Sequence, residues 1–261
     1  MAITLRSRRE IELMRNAGVV VAEVLLKLQE IAQPGISTGR LNDVALQITE
    51  KSGAKALFQG VKSPVARVPF PGAICASLNE QIVHGIPSME IALQEGDILS
   101  IDYGAELNGY CADAAVTLAI GHVSEKKKHL MNVTREMLNI AITEAAPSVK
   151  WSSIAAKMQD CAQKAGFSVV TDFVGHGIGR KMHEEPKVPN FVNDEVLNND
   201  FMLQEGMVIA VEPMVNMGTE RVRTLKDGWT VVTKDGKCSA HFEHTIAIFE
   251  NGCEVLTKQP A

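Results

Sequence analysis

Apolar residues recur at helical spacing over residues 8–32, with Ile11, Met14, Ala17, Val21 and Leu25 on one face, so the pattern predicts a long amphipathic helix. Pro34-Gly35 ends it. Thr38 reads as the N-cap of a second helix that runs to about Lys51 and stops at Ser52-Gly53. From 54 to 122 the texture changes to short apolar runs broken by glycine and proline, which predicts strands and turns. The order then repeats. A charged amphipathic helix over 124–146 is broken by Pro147, another over 151–165 ends at Gly166, and strands and turns fill the remainder. Two successive helix-helix-strand halves predict an α+β fold built by duplication, although no residue-level repeat is visible. No Gly/Ser-rich or Pro-rich linker separates the halves, so residues 1–261 read as a single domain.

Four of the strand-like apolar runs are each interrupted by a carboxylate: Asp102 in DILSIDYG, Asp113 in GYCADAAV, Glu212 in MVIAVEPMV and Glu243 in SAHFEHTIAI. A carboxylate pointing into a core costs on the order of several kcal/mol unless its charge is compensated. One such residue could occupy an outward-facing strand position. Four of them, with His176 framed by glycines in VGHGIG, read as the wall of a metal site. Leu107-Asn108-Gly109 supplies turn chemistry between Asp102 and Asp113, which predicts a β-hairpin. A turn centred on Leu107-Asn108 places the two aspartates opposite each other; one centred on Asn108-Gly109 makes them diagonal neighbours. Both arrangements allow one face to carry both carboxylates, although paired aspartates can also simply face solvent.

His176 sits between Gly175 and Gly177, which free the backbone to turn sharply and bring the imidazole close to a site. A lone histidine is more often structural than a ligand, so its weight here comes from the carboxylates. Four carboxylates carry about four negative charges, which two divalent cations neutralise. Oxygen-rich ligands with one nitrogen suit Mn, Fe(II), Co or Zn. Two such ions a few ångströms apart bridge a water and acidify it into a hydroxide nucleophile. The single-zinc motif H-E-x-x-H is missing its second histidine in HEEP at 183–186, and His241 and His244 of HFEH fall on opposite strand faces.

Composition narrows the class. Hydrophobic residues make up 46% and charged residues 22% of the 261, ordinary values for a soluble globular chain. A net charge of −5 and a pI near 5.8 argue against a general nucleic-acid or anionic-membrane binder. The basic cluster Arg6-Ser7-Arg8-Arg9 reads as a solvated helix start, with contact to an anionic partner such as RNA as the alternative. Five cysteines without a C-x-x-C pair disfavour a disulfide framework and fit a reducing compartment. The chain shows neither a signal-peptide pattern nor an apolar stretch of membrane-spanning length, so the expected location is the cytoplasm.

The residues so far resemble one family closely, the type I methionine aminopeptidases. The matching segments are LRSRREIELMRNAG at the start, SLNEQIVHGIP at 77–87, the Asp102/Asp113 hairpin and VGHGIGRKMHEEP at 174–186. They continue with VEPMVN at 211–216, DGWTVVTKDG at 227–236 and SAHFEHTIAI at 239–248, in order from about residue 3 to 257. The resemblance implies a pita-bread fold, pseudo-symmetric α+β halves around a curved antiparallel sheet. It also implies removal of the N-terminal methionine from nascent proteins and peptides with a small second residue.

By the same resemblance Asp102, Asp113, His176, Glu212 and Glu243 are the ligands of two divalent ions (Co, Mn, Fe or Zn). Asp113 and Glu243 bridge, Asp102 chelates one ion, and His176 with Glu212 completes the other. Glu212 is also the implied general base, and His84 and His183 the histidines that position peptide and stabilise charge. Asn79 and Ser239 match positions that hold a monovalent cation in some relatives. Phe70, Cys75, His84, Met182 and Trp229 match the lining of the methionine pocket, where polarizable and aromatic groups suit a thioether. On residue type alone Phe70 and Met182 read as ordinary core. Cys75 is then a wall and not a nucleophile, since no neighbouring base supports a thiolate.

The implied partners are an N-terminal-Met peptide or nascent chain and, at the point of synthesis, the ribosome; no direct DNA binding and no membrane are expected, and the expected state is a monomer. The chain departs from the family pattern at Arg67 and Pro69 before the pocket, and at Ala114, where a hydroxyl residue is common. These changes bear on the pocket rim and on peptide preference beyond the first residue. The rival readings are an Xaa-Pro dipeptidase or aminopeptidase of the same fold and a non-catalytic pita-bread binding protein.

Overall fold

Three of the four long helices begin at a serine that accepts a hydrogen bond from a backbone N–H of the first turn. The computed structural model describes residues 3–259. Its first half runs α1 (Arg8–Ile31), α2 (Thr38–Lys51), β1 (Lys55–Ala56), β2 (Cys75–Leu78), β3 (Gln81–Val83), β4 (Ile98–Leu107) and β5 (Tyr110–Ala119). The second runs α3 (Glu125–Glu144), α4 (Trp151–Lys164), β6 (Ser168–Val169), β7 (Gly175–Gly177), β8 (Glu184–Val188) and α5 (Asp194–Asn198). It ends with β9 (Val208–Val211), β10 (Met214–Asn216), β11 (Val222–Thr224), β12 (Val231–Thr233), β13 (Ser239–His241), β14 (Glu243–Phe249) and β15 (Gly252–Val255).

At α1 the cap is a reciprocal box, with the Ser7 side chain accepting from Glu10 N and Glu10 accepting from the Ser7 backbone. At α2 the cap is Ser37 and not Thr38, the first helical residue. The reason is that the Thr38 hydroxyl is engaged elsewhere, donating to Ser88 O at 3.1 Å and accepting from Ser88 N at 2.9 Å. The helix start is not wholly solvated either. Arg8 is exposed, but the Arg6 side chain is largely covered and its guanidinium is bonded to Glu184, 178 positions away, with Glu10 at 3.8 Å.

Nine strands form one antiparallel sheet in the order β1-β4-β5-β14-β9-β7-β8, with β2 on β4 and β15 on β14. Two three-stranded sheets, β13-β10-β6 and β11-β12-β3, accompany it. Strand alternation decides what each face of the large sheet carries. Leu99, Ile101 and Tyr103 of β4 and Ala112 and Ala114 of β5 pack with Val21, Leu25, Leu28 and Leu41 of α1 and α2. In the second half, Ile209, Val211, Ile246 and Ile248 pack with Met137, Trp151 and Met158 of α3 and α4. Each helix pair therefore backs one half of the sheet, as the repeated order of elements predicts. Asp102, Asp113 and Glu243 hold the alternate positions, so they stand on the face turned away from the helices. Among the described residues no helix is long and apolar enough to cross a membrane, and all five cysteines are unpaired.

The β4–β5 turn is Asn108-Gly109, both with positive φ (53° and 78°), flanked by the pair Leu107↔Tyr110. That register puts Asp102 opposite Ala115 and Asp113 opposite Gly104, making the two aspartates diagonal neighbours. The glycines around His176 play a different part from the one expected. Neither adopts positive φ; both lie in extended β7. A Cβ on Gly175 would stand 2.3 Å from Ala210 O, and one on Gly177 would stand 2.1 Å from Glu185 O. They are needed for close backbone approach, not for a turn. Gly175→Ala is therefore expected to cost about 1–3 kcal/mol of stability and to weaken divalent-metal binding. Denaturant unfolding and metal titration of the variant measure the two effects.

Candidate metal centre

Five adjacent strands of the large sheet deliver the five residues, one apiece. In sheet order they are Asp102 on β4, Asp113 on β5, Glu243 on β14, Glu212 directly after β9 and His176 on β7. The register brings them level. Ala115 lies opposite both Asp102 and Glu243, and Ala210 lies opposite both Thr245 and His176. Donor atoms of Asp113, His176 and Glu243 fall within 4.8 Å of one another. His176 Nε2 is 3.6 Å from Glu212 Oε1, and the Asp102 and Asp113 carboxyls are close enough to perturb each other.

The electrostatics of this cluster are unfavourable on its own. Burial, then the charge of Asp113 and then that of Glu212, push Asp102 well above the ordinary carboxylate range. Glu243 is pushed up by burial and then by Asp113, Glu212 and Asp102, and Glu212 by burial and Asp113. Burial raises Asp113 to about 7. Asp102 Oδ1, Asp113 Oδ1 and Glu243 Oε1 are buried without a hydrogen-bond partner among the described residues. Orphaned acceptors at this depth are costly, and convergent carboxylates with one imidazole are a donor set that divalent cations satisfy. The imidazole is oriented for it: His176 Nδ1 lies 3.0 Å from Gly177 O, which places the proton there and leaves Nε2 as an acceptor toward the acids. Burial and then His183 lower His176 to about 4, so the ring is neutral at pH 7.

Above the carboxylates opens a cavity of about 260 Å³. The expected pocket residues Phe70, Cys75, His84, Met182 and Trp229 all line it, together with His183 and the five acidic and imidazole side chains below. Phe70 and Trp229 meet edge-on with centroids 5.3 Å apart, and Trp229 Nε1 donates to Val68 O at 2.9 Å, which fixes the indole. Burial pushes the Cys75 thiol well up, Asp102 and Asp113 adding to it, so it stays protonated. His84 has a positive φ of 59° and packs edge-on against Phe173 and Trp229. Burial, then His183, lowers it to about 4. The His183 ring stands 4.3 Å from that of His176, with its edge open to solvent.

Some residues were not foreseen. Phe58, Val61, Val83 and Phe173 also line the cavity, but in the sequence they look like any strand or loop hydrophobe. His241 is 1% exposed, with Nε2 unpartnered 3.8 Å from Glu212 and 4.0 Å from Glu243. Burial, then His84, lowers it to about 3. Its spacing two residues before Glu243 was the available signal, since same-face strand positions repeat every second residue. His244 points elsewhere, with Nδ1 2.9 Å from Thr257 Oγ1. Asn79 and Ser239 lie outside the five-residue cluster, at a junction where Ser239 N donates to Asn79 O at 2.8 Å.

Comparison with known proteins gives consistent matches. The model of metallopeptidase family M24 matches residues 12–250. The methionine aminopeptidase of Aquifex aeolicus is 46% identical over 258 residues, covering 99% of this chain and 100% of that protein. That of Escherichia coli K12 is 38% identical over 98% of this chain and 94% of its own length. A crystal structure of methionine aminopeptidase from Thermotoga maritima superposes with a TM-score of 0.93 at 40% identity, covering 99% and 100% of the two chains. A prolidase from Pyrococcus horikoshii reaches 0.76 at 21% identity, with this chain covering 64% of it, which establishes a shared fold.

The raised carboxyl pKa values set a sign for pH dependence. In metal-free protein these acids hold their protons more tightly folded than unfolded. Their contribution to stability is therefore full below the ordinary carboxylate range, near pH 4, and is lost as pH rises through about 7, the value for Asp113. Divalent cations reverse the loss by binding the ionised forms. The gap in melting temperature between metal-loaded and chelated protein is expected to widen from about pH 5 to 8; a gap independent of pH counts against this electrostatic account.

Proposed function

The chain belongs to metallopeptidase family M24, and from that membership we propose how its carboxylate-lined cavity removes the N-terminal methionine of peptides and nascent chains. The protein is an aminopeptidase, a hydrolase whose pita-bread fold curls the antiparallel sheet around the site. The observation that carries the reading is the row of five donors on five adjacent strands, at the foot of an apolar pocket. Residues from both halves of the chain complete that row, so we treat the chain as one catalytic domain.

Asp102, Asp113, His176, Glu212 and Glu243 would hold two divalent cations drawn from Co, Mn, Fe and Zn. Asp113 and Glu243, on the adjacent strands β5 and β14, would serve both, with Asp102 on one side and His176 with Glu212 on the other. When bound, such ions supply Lewis acidity that polarises a carbonyl and lowers the pKa of water. Glu212 is the general base: half-buried and lining the cavity, it takes the proton of the attacking water. His84 and His183 are neutral near pH 7 and line the same cavity, so each can donate a hydrogen bond to charge developing on the scissile carbonyl oxygen.

Phe58, Phe70, Cys75, Met182 and Trp229 form the wall for the methionine side chain. The polarizable Met182 and the aromatic edges suit a thioether sulfur. A free α-amino group fits beside the acids, which explains why a blocked N-terminus would not be processed. We infer a preference for a small second residue from the full-length likeness to methionine aminopeptidases. The Xaa-Pro alternative shares the fold, but its representatives resemble this chain at only 20–23% identity.

Release of the first residue from a panel of Met-Xaa and Xaa-Pro peptides, with each candidate metal, tests the reading. Methionine is expected from Met-Ala-type peptides; cleavage of Xaa-Pro peptides alone would transfer the assignment to prolidase chemistry. Glu212→Gln is expected to lower kcat about 10²–10⁴-fold while circular dichroism stays unchanged. Chelation should abolish turnover, and added divalent metal should restore it.

A further inference from the structure

Asn79 and Ser239 match positions that hold a monovalent cation in some relatives, and in this chain the Lys127 ammonium stands at Asn79. The Lys127 ammonium donates to Asn79 Oδ1 at 3.1 Å and to Gly96 O at 2.7 Å. Asn79 Nδ2 donates to Asp97 Oδ1 at 2.8 Å while Oδ1 accepts from Ile98 N at 3.2 Å, so the amide orientation is set and its oxygen is the one that faces the ammonium. The Cys238 thiol completes the surroundings, 3.9 Å from the same oxygen, and the Asp97 and Glu80 carboxylates lie close enough to act on it. Lys127 sits in the first turn of α3, where the helix dipole disfavours a positive charge. The contacts at Asn79 and Gly96 offset that cost.

The junction matters because four segments of the site meet there. Asn79, with a positive φ of 50°, opens the turn from β2, which carries Cys75, into β3, which leads to His84. Its backbone N–H donates to Ile98 O at the start of β4, and its carbonyl accepts from Ser239 N at the start of β13. From there β4 runs to Asp102, and β13 runs to His241, two residues before Glu243 at the start of β14. Ser239 Oγ donates to Val215 O at 3.2 Å, so its hydroxyl is committed to the neighbouring strand.

We propose that the Lys127 ammonium is a tethered cation that holds the Asn79 junction, and that this protein consequently needs no separate monovalent cation there. Lys127 is a positioning residue: it acts on the site through the turn and strands that Asn79 joins.

The test compares metal-loaded, full-length wild type and Lys127→Met in sodium, potassium or tetramethylammonium chloride at one ionic strength, reading the melting midpoint. Wild type is expected to melt at the same temperature in all three salts. The variant is expected to melt about 3 °C or more lower in tetramethylammonium and to recover saturably with sodium or potassium. Saturable stabilisation of wild type by either small ion overturns the proposal. So does a variant as stable as wild type in tetramethylammonium, or one that neither small ion restores. If Lys127→Met does not fold, the wild-type comparison still decides. Because the readout is stability, the outcome is independent of the peptide substrate.

Discussion

Mutual repulsion among four carboxylates in a buried space is the constraint around which this molecule is organised. Each would prefer water, and each instead stands close to other acids under an apolar cavity; Asp102, Asp113 and Glu243 each bury an oxygen without a donor among the described residues. Such a cluster is tolerable only if the surrounding fold is rigid enough to hold it and if a counter-charge is available. Divalent cations, which membership of metallopeptidase family M24 implies, would supply the counter-charge. The rigidity comes from placing the acids on strands, where backbone hydrogen bonds on both sides fix each Cα.

The sheet solves the placement problem with its period of two. Apolar residues at alternate positions of β4, β5, β9 and β14 bind the helix pairs, and this anchors the opposite face in register. Once Leu99, Ile101 and Tyr103 are committed to the helices, Asp102 has to face the cavity. Small residues occupy the positions between the donors: Ala115 lies between Asp102 and Glu243, and Ala210 between Thr245 and His176. Gly175 and Gly177 let three backbones crowd around the imidazole. Side chains at these positions would fill the space the donors share. Loops from both halves then raise the apolar walls, with Phe58 and Phe70 from the first and Phe173, Met182 and Trp229 from the second.

Much of this could be read along the chain. The four long helices were bounded to within a residue or two by serine, proline and glycine signals, and the helix-helix-strand order anticipated the two backed half-sheets. The acids were visible because a carboxylate inside an apolar strand is energetically conspicuous. The turn residues Asn108 and Gly109 narrowed the hairpin to two registers, and the observed positive φ at both selected the diagonal one. Less visible were residues whose role depends on distant partners. Arg6 looked like a solvated helix start, but Glu184 draws it under the surface. Thr38 looked like a cap until Ser88 claimed its hydroxyl. His241 was set aside for its pairing with His244, although its spacing from Glu243 put it on the acidic face.

The sequence by itself determined the alternation of apolar and polar positions, the helix boundaries and a set of five candidate donor residues, because these rest on local periodicity and on the cost of burying charge. Tertiary structure alone decided that those donors meet. Strands 102 and 113 are neighbours through a short turn, but 113, 243, 212 and 176 become adjacent only through the sheet order β5-β14-β9-β7, which no local pattern encodes. It also decided that a lysine from α3 reaches the Asn79 turn 48 residues away. Long-range adjacency is set by how whole faces pack, and that is a property of the folded chain and not of any segment within it.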